Sequence, residues 1–167
     1  MKIDEAKKAL VQNWGVLGSQ WGINRTMSQI HALLMVADKP LSTEDVMNEL
    51  VISRGNAHTN LKDLLEWGLL KKTIIAGDRK EYFEAEKDVW KIAVTVAKER
   101  KRRELDPMLQ AIQQLEDELE GKSEETLKFQ QLLKDIRQIG TQAEMLINFM
   151  GKAEKNSFAN KIIKLIK

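Results

Sequence analysis

Two helix-capping serines stand close together, and the hairpin pattern beyond them leaves few folds open. Ser42 has Asp45 three residues on, a pair suited to the positive end of a helix dipole, so a short helix is expected from Thr43 to about Leu50 with Val46 and Leu50 facing inward. Ser53 opens a second helix, which carries Ala57, Leu61, Leu64 and Leu65 on one face and ends at Trp67-Gly68. Leu69 to Ile75 and Glu81 to Ala85 then read as two short strands, with Ala76-Gly77-Asp78-Arg79-Lys80 as the hairpin tip. Helix, turn, helix and hairpin in that order predict a winged helix-turn-helix.

The flanks of this block read as helical. A first helix is expected from about Asp4 to Trp21, broken by Trp21-Gly22-Ile23-Asn24. The next carries Met27, Ile30, Leu33, Leu34 and Ala37 on one stripe and stops before Lys39-Pro40, because proline disfavours helical geometry in its predecessor. Beyond the hairpin, Val89, Ile92, Ala93 and Val96 stripe one helix. Asp106-Pro107 is expected to cap and start another through Met108, Ile112, Leu115 and Leu119, ended by Gly121, and a third begins at Ser123. A tail from Ser157 adds Phe158, Ile162, Leu165 and Ile166. The expected architecture is mainly α with a small β-hairpin: an N-terminal helix over 1–22 packing on the dimer frame, a winged helix-turn-helix DNA-binding domain over 23–87, and long C-terminal helices over 88–167 forming a dimerisation frame.

Composition narrows the function classes. The 167 residues include 27 basic and 25 acidic ones, a formal net charge of +2, so a nucleic-acid surface has to come from local clustering. Cysteine is absent, which rules out disulfides, thiolate catalysis and Cys-ligated zinc. The first residues lack a signal-peptide core and no apolar run approaches the ~18 residues needed to span a bilayer, so a cytoplasmic protein with no membrane partner is expected. With two histidines, one tyrosine, no phosphate-loop pattern and no metal-ligand spacing, no catalytic constellation is present; neither an enzyme, a metal site nor a cofactor is expected. His31 reads as a packed or partly exposed helix residue.

The chemistry suits a nucleic-acid surface. Residues at ~100° intervals place Gly55, Asn56, Thr59 and Lys62 opposite the leucine stripe of the second capped helix, with Ser53, Arg54, His58 and Asn60 extending that surface. Asparagine pairs with adenine edges, threonine contacts bases or phosphate, lysine and arginine reach guanine or phosphate, and Gly55 permits close approach. On an isolated helix this would more often be an ordinary solvated face; the short capped helix before it tips the balance. Arg79 and Lys80 at the hairpin tip suit a narrow minor groove, with Asp78 orienting the arginine. Lys98, Arg100, Lys101, Arg102 and Arg103 cluster as strongly, but on a helix they point several ways, and a solvated, internally neutralised surface explains them as well.

Phe129, Leu132, Ile136, Ile139, Ala143, Leu146 and Met150 alternate by three and four residues, a heptad seam of about three heptads. Such a seam buries either against the chain's own helices or against a second copy, and paired half-sites on DNA favour the homodimer, with Leu132, Ile136, Ile139, Ala143 and Leu146 at the contact. Trp14, Trp21 and Trp90 are candidates for lining the cleft of a small-molecule effector of unknown identity, although core packing is the commoner role of each.

Three stretches, Trp14 to Thr26, Ser53 to Leu69 and Gly77 to Ala85, together resemble the MarR-type winged-helix regulators, and within them the GbsR branch, over about the first hundred residues. The resemblance implies a dimeric bacterial or archaeal regulator, commonly a repressor, with recognition helices in successive major grooves and wings reaching the minor groove. Ser53, Arg54, Asn56 and Asn60 match the recognition helix, and Asp78 and Arg79 the wing. The expected function is therefore a sequence-specific regulator binding double-stranded DNA as a homodimer. A winged-helix protein-interaction module in a larger complex is the competing reading.

Overall fold

A computed structural model describes residues 1–152; the tail expected from Ser157 to Ile166 lies outside the described residues. The chain divides into two compact units, Met1–Ile92 and a second beginning at Ala93.

The first unit opens with α1 (Ile3–Gln20), which packs on α2 (Arg25–Val36). Gly18 makes that packing close, since a Cβ there would collide with the side chain of Ser28. The Asn24 side chain caps α2 by accepting from the Met27 amide at 3.2 Å. Beyond β1 (Leu41–Ser42) come α3 (Thr43–Leu50) and α4 (Arg54–Glu66), with the boundaries their capping serines predict. Ser42 and Asp45 form a reciprocal capping box: the Asp45 amide donates to Ser42 Oγ at 3.2 Å and the Ser42 amide to Asp45 Oδ2 at 2.8 Å. Ile30, Leu34, Val46, Leu61 and Leu64, from α2, α3 and α4, are the largest fully buried side chains among the described residues, so the three helices share one core.

The hairpin strands are β2 (Leu70–Thr73) and β3 (Tyr82–Ala85), shorter than the alternation suggests. Their register pairs Leu70 with Ala85 and Thr73 with Tyr82. Lys71 faces Glu84, with an ion pair at 3.1 Å. The sheet has a third member that the sequence pattern does not signal. β1 pairs antiparallel with β3, Leu41 against Phe83, in the order β1-β3-β2. Two residues are too few for a periodicity, and only tertiary pairing reveals them.

In α5 (Val89–Arg100) Ile92 is buried while Val89 and Ala93 are exposed, so the expected stripe is only partly inward. The expected cap at Asp106 is corrected by the structure. Asp106 does not start a new helix: a π-helical turn, Lys101–Leu105, runs directly into α6 (Asp106–Glu118), and Asp106 itself is helical, φ −61°, ψ −46°. Pro107 has no N–H to donate, and its ring needs the space of a carbonyl one turn back; the widened turn just before it lets the helical path continue. The Asp106 carboxylate instead takes Lys101 Nζ at 2.7 Å.

The last described helix, α7 (Glu124–Lys152), starts after Ser123, whose Oγ accepts from the Thr126 amide at 3.1 Å. It packs on α6 and the π turn through Leu133 and Gly140, and Leu109 lies where a Cβ on Gly140 would go. Arg137 pairs with Glu116 at 2.8 Å and Glu144 with Lys101 at 2.9 Å. The helix meets these neighbours with a stripe one position off the heptad seam. Leu132, Ile139 and Leu146 are exposed, Ile139 to 69%. Ala143 is exposed as well, and Ile136 is half-buried between the two stripes. No helix among the described residues is long and apolar enough to cross a membrane.

Candidate nucleic-acid interface

Capping starts α4 and amphipathicity sets its rotation. The Asn56 amide donates to Ser53 Oγ at 3.3 Å. Ala57, Leu61 and Leu64 turn into the core, so Ser53, Arg54, Gly55, Asn56, His58, Thr59 and Lys62 are all exposed on the other side. A Cβ on Gly55 would meet open space, leaving the helix backbone approachable there. Lys62 sits 3.7 Å from Glu66, a loose exposed ion pair of little energetic weight. Asn60 departs from the expected surface. It is only 3% exposed, and its Nδ2 donates to the Asn56 carbonyl oxygen at 2.8 Å and to Asn56 Oδ1 at 2.7 Å. Helical spacing puts residue 60 near the edge of the polar face, and packing draws it under; it touches Asn56 and not the outside.

The turn into α4 is tight. Val51 adopts a left-handed conformation at φ 53°, and the Ile52 amide returns to the Met47 carbonyl at 3.1 Å. Only three residues separate the helices, and this reversal lets both bury their apolar faces on α2.

At the wing tip, Gly77 takes φ +86° and makes the reversal between the strands. Asp78 organises the tip, but not by gripping the side chain of Arg79 as expected. Its Oδ1 accepts from the Lys80 amide at 2.9 Å and its Oδ2 from the Tyr82 hydroxyl at 2.7 Å. The tyrosine bond, reinforced by the Lys80 amide, holds the Asp78 carboxyl below its usual range and raises the Tyr82 hydroxyl above its own. Lys80 reaches across to Glu44 on α3 at 2.7 Å, which raises the lysine and lowers the glutamate. Sequence reasoning missed Tyr82 and Glu44; the tyrosine stands four residues from Asp78 across a hairpin, a readable signal, whereas the glutamate lies 36 residues from its lysine.

Arg54 and Arg79 carry no ion pair among the described residues. The stronger-looking basic run does. Arg100 pairs with Glu104, Lys101 with Asp106 and Glu144, and Arg102 and Arg103 both with Glu99. Hydrogen bonds from Arg102 and then Arg103 push the Glu99 carboxyl down to about 2 against the opposing effect of its burial. Arg100, Lys101, Arg102 and Arg103 are thus each paired with a neighbouring acid.

Trp14 and Trp90 are half-buried and Trp21 is exposed. A cavity of about 520 Å³ in the first unit is lined by residues that include Lys7, Leu33, Val36, Asp38 and Leu41, and one of about 320 Å³ lies along Gly68–Lys71 and Glu84–Lys87; none of the three tryptophans lines either.

Two capped helices joined by a three-residue turn and followed by an antiparallel hairpin, on a three-stranded sheet, make this a winged helix-turn-helix protein. Residues 21–81 match a family model described as MarR family. The chain is similar to the HTH-type transcriptional repressor GbsR of Bacillus subtilis (strain 168), with 25% identity over 118 residues; the match takes in 71% of this chain and spans 65% of the length of that relative. A solved structure described as a transcriptional regulator shares the fold at a TM-score of 0.68 and 19% identity, covering 88% of this chain and 97% of that one.

Proposed function

We propose that the protein is a sequence-specific double-stranded DNA-binding transcriptional regulator, a repressor by kinship with GbsR, working as a homodimer that sets α4 in the major groove and the wing tip in the minor groove. One contrast carries the reading. Arg54 on α4 and Arg79 on the wing are exposed without an ion pair among the described residues, while the basic run from Arg100 to Arg103 is neutralised by neighbouring acids. Desolvating an already paired arginine on phosphate gains little; an unpaired one gains the full attraction and releases counterions.

The exposed heptad stripe on α7 supports the homodimer, since a twofold pair of chains carries two recognition helices for two half-sites. Binding of the purified chain to duplex fragments selected from genomic DNA tests the whole reading. Affinity should fall with salt at a log-log slope of about −0.9 per phosphate contact. Absent or salt-insensitive duplex binding would instead favour the protein-interaction module.

A further inference from the structure

The buried amide of Asn60 constrains what the exposed amide of Asn56 can read. Asn60 sits one helical turn beyond Asn56 on α4, and its nitrogen has two hydrogens. Both are committed to residue 56: one to the backbone oxygen at 2.8 Å, the other to side-chain Oδ1 at 2.7 Å. The donor is buried, so the bond is not one that solvent replaces without loss. It ties the oxygen end of the Asn56 amide to the helix and leaves the Nδ2 hydrogens as the end that projects from an exposed side chain.

Resting on the DNA-binding reading, we propose that Asn60 is a positioning residue that fixes the Asn56 amide with its donors outward. Asn56 then reads acceptor atoms in the major groove, the guanine O6/N7 edge foremost, and not adenine. The familiar asparagine–adenine pair needs Oδ1 to accept from the adenine N6 amine while Nδ2 donates to N7. Oδ1 keeps a second lone pair, but the bond from buried Asn60 fixes the plane of the amide; swinging that plane so that both atoms meet one base edge breaks the bond and strands a buried donor hydrogen, a penalty on the order of tenfold in affinity. Guanine asks only for donors.

The test begins with the native chain and a duplex it has selected. The base pair whose identity ceases to matter in Asn56→Ala marks the contact. At that position, replacing guanine by 7-deazaguanine, which lacks the N7 acceptor, should weaken binding by roughly tenfold. If the contacted base is instead an adenine whose N6 amine is required, shown by an equal loss on replacing it with unsubstituted purine, the proposal is overturned. Asn60→Asp supplies the reciprocal test. A carboxylate cannot donate to Oδ1 but can accept from Nδ2, so the Asn56 amide should turn over and the preference at that position move to a base bearing an exocyclic amine, adenine or cytosine. A merely structural role for Asn60 would lower binding to every duplex equally, and that result also overturns the proposal. Should Asn60→Asp fail to fold, the atom-substituted duplexes with the native chain decide alone. The two layers separate cleanly: no duplex binding by the native chain overturns the DNA-binding reading and the proposal with it, whereas specific binding indifferent to Asn56→Ala overturns only the proposal.

Discussion

Two side chains show how differently charge is used in the same unit. Arg79 stands at the tip of a hairpin whose shape is held by Asp78, Tyr82 and Lys80, so its guanidinium is presented without being consumed. Arg79→Ala should weaken specific duplex binding by roughly 1 to 3 kcal/mol and flatten the salt slope by about one phosphate equivalent, with folding unchanged. Competition binding at matched salt, on a folded variant, checks it; affinity equal to that of the native chain would remove the hairpin from the interface. His31 is the opposite case. It is 3% exposed on α2, its Nε2 has no hydrogen-bond partner among the described residues, and burial lowers its pKa from 6.5 to about 4. The folded state therefore holds the imidazole neutral while the unfolded chain takes up a proton below pH 6.5. Stability from this group is complete above pH 6.5 and declines as pH falls toward 4, by about 3 kcal/mol over the window. Urea unfolding across that range should show the decline, and His31→Phe should flatten it; an unchanged slope in the variant would place the acid sensitivity elsewhere.

Among the elements, the joint between α3 and α4 is the strained one. Val51 is a β-branched residue in the left-handed region, 89% exposed, with no packing to offset the cost. Asparagine tolerates that conformation, so Val51→Asn should stabilise the unit by about 1 kcal/mol and raise the melting temperature by a few degrees without altering DNA affinity. A lower melting temperature would mean that the valine side chain does something the free surface hides. The helices on either side were legible in the sequence, their starts from the capping serines and their ends approximately, because N-caps and apolar spacing are local properties. The helical run from α5 to α6 was not, because whether a proline ends a helix depends on whether the preceding turn can widen, and the ion pair of Lys101 with Asp106 and Glu144 is made only once the turn has formed.

At the scale of the molecule, α7 divides its apolar residues between two tasks. Leu133 and Gly140 meet α6, while Leu132, Ile139 and Leu146, spaced by seven, stay exposed. From Phe129 to Met150 the seam is roughly 30 Å long at 1.5 Å per residue, enough for a two-helix contact with a second copy. Ile139→Lys should leave each chain folded, since the site is exposed, yet shift sedimentation from dimer to monomer, because a twofold seam would bury two unpaired ammonium groups. A native chain that sediments as a monomer at micromolar concentration, free and on DNA, would rule the seam out as an interface. The monomeric variant should also lose operator binding steeply, as each winged helix then meets its half-site without the other.

What the residues determined by themselves was the set of elements and the kind of surface: N-caps, helical and strand periodicity and a Gly-Asp reversal act over a few positions, and so a winged helix with a polar face on its second helix could be read directly. Tertiary structure decided which of those polar groups are available. The α4 face sank Asn60 and turned it into a partner for Asn56, Glu44 reached a lysine 36 residues away, and Glu99 took up two arginines of the most basic run in the chain. The physical reason is common to all three. Charge and hydrogen-bonding capacity belong to the residue, but whether they remain unspent depends on neighbours that only the folded chain brings within 3 Å or so, where such bonds form.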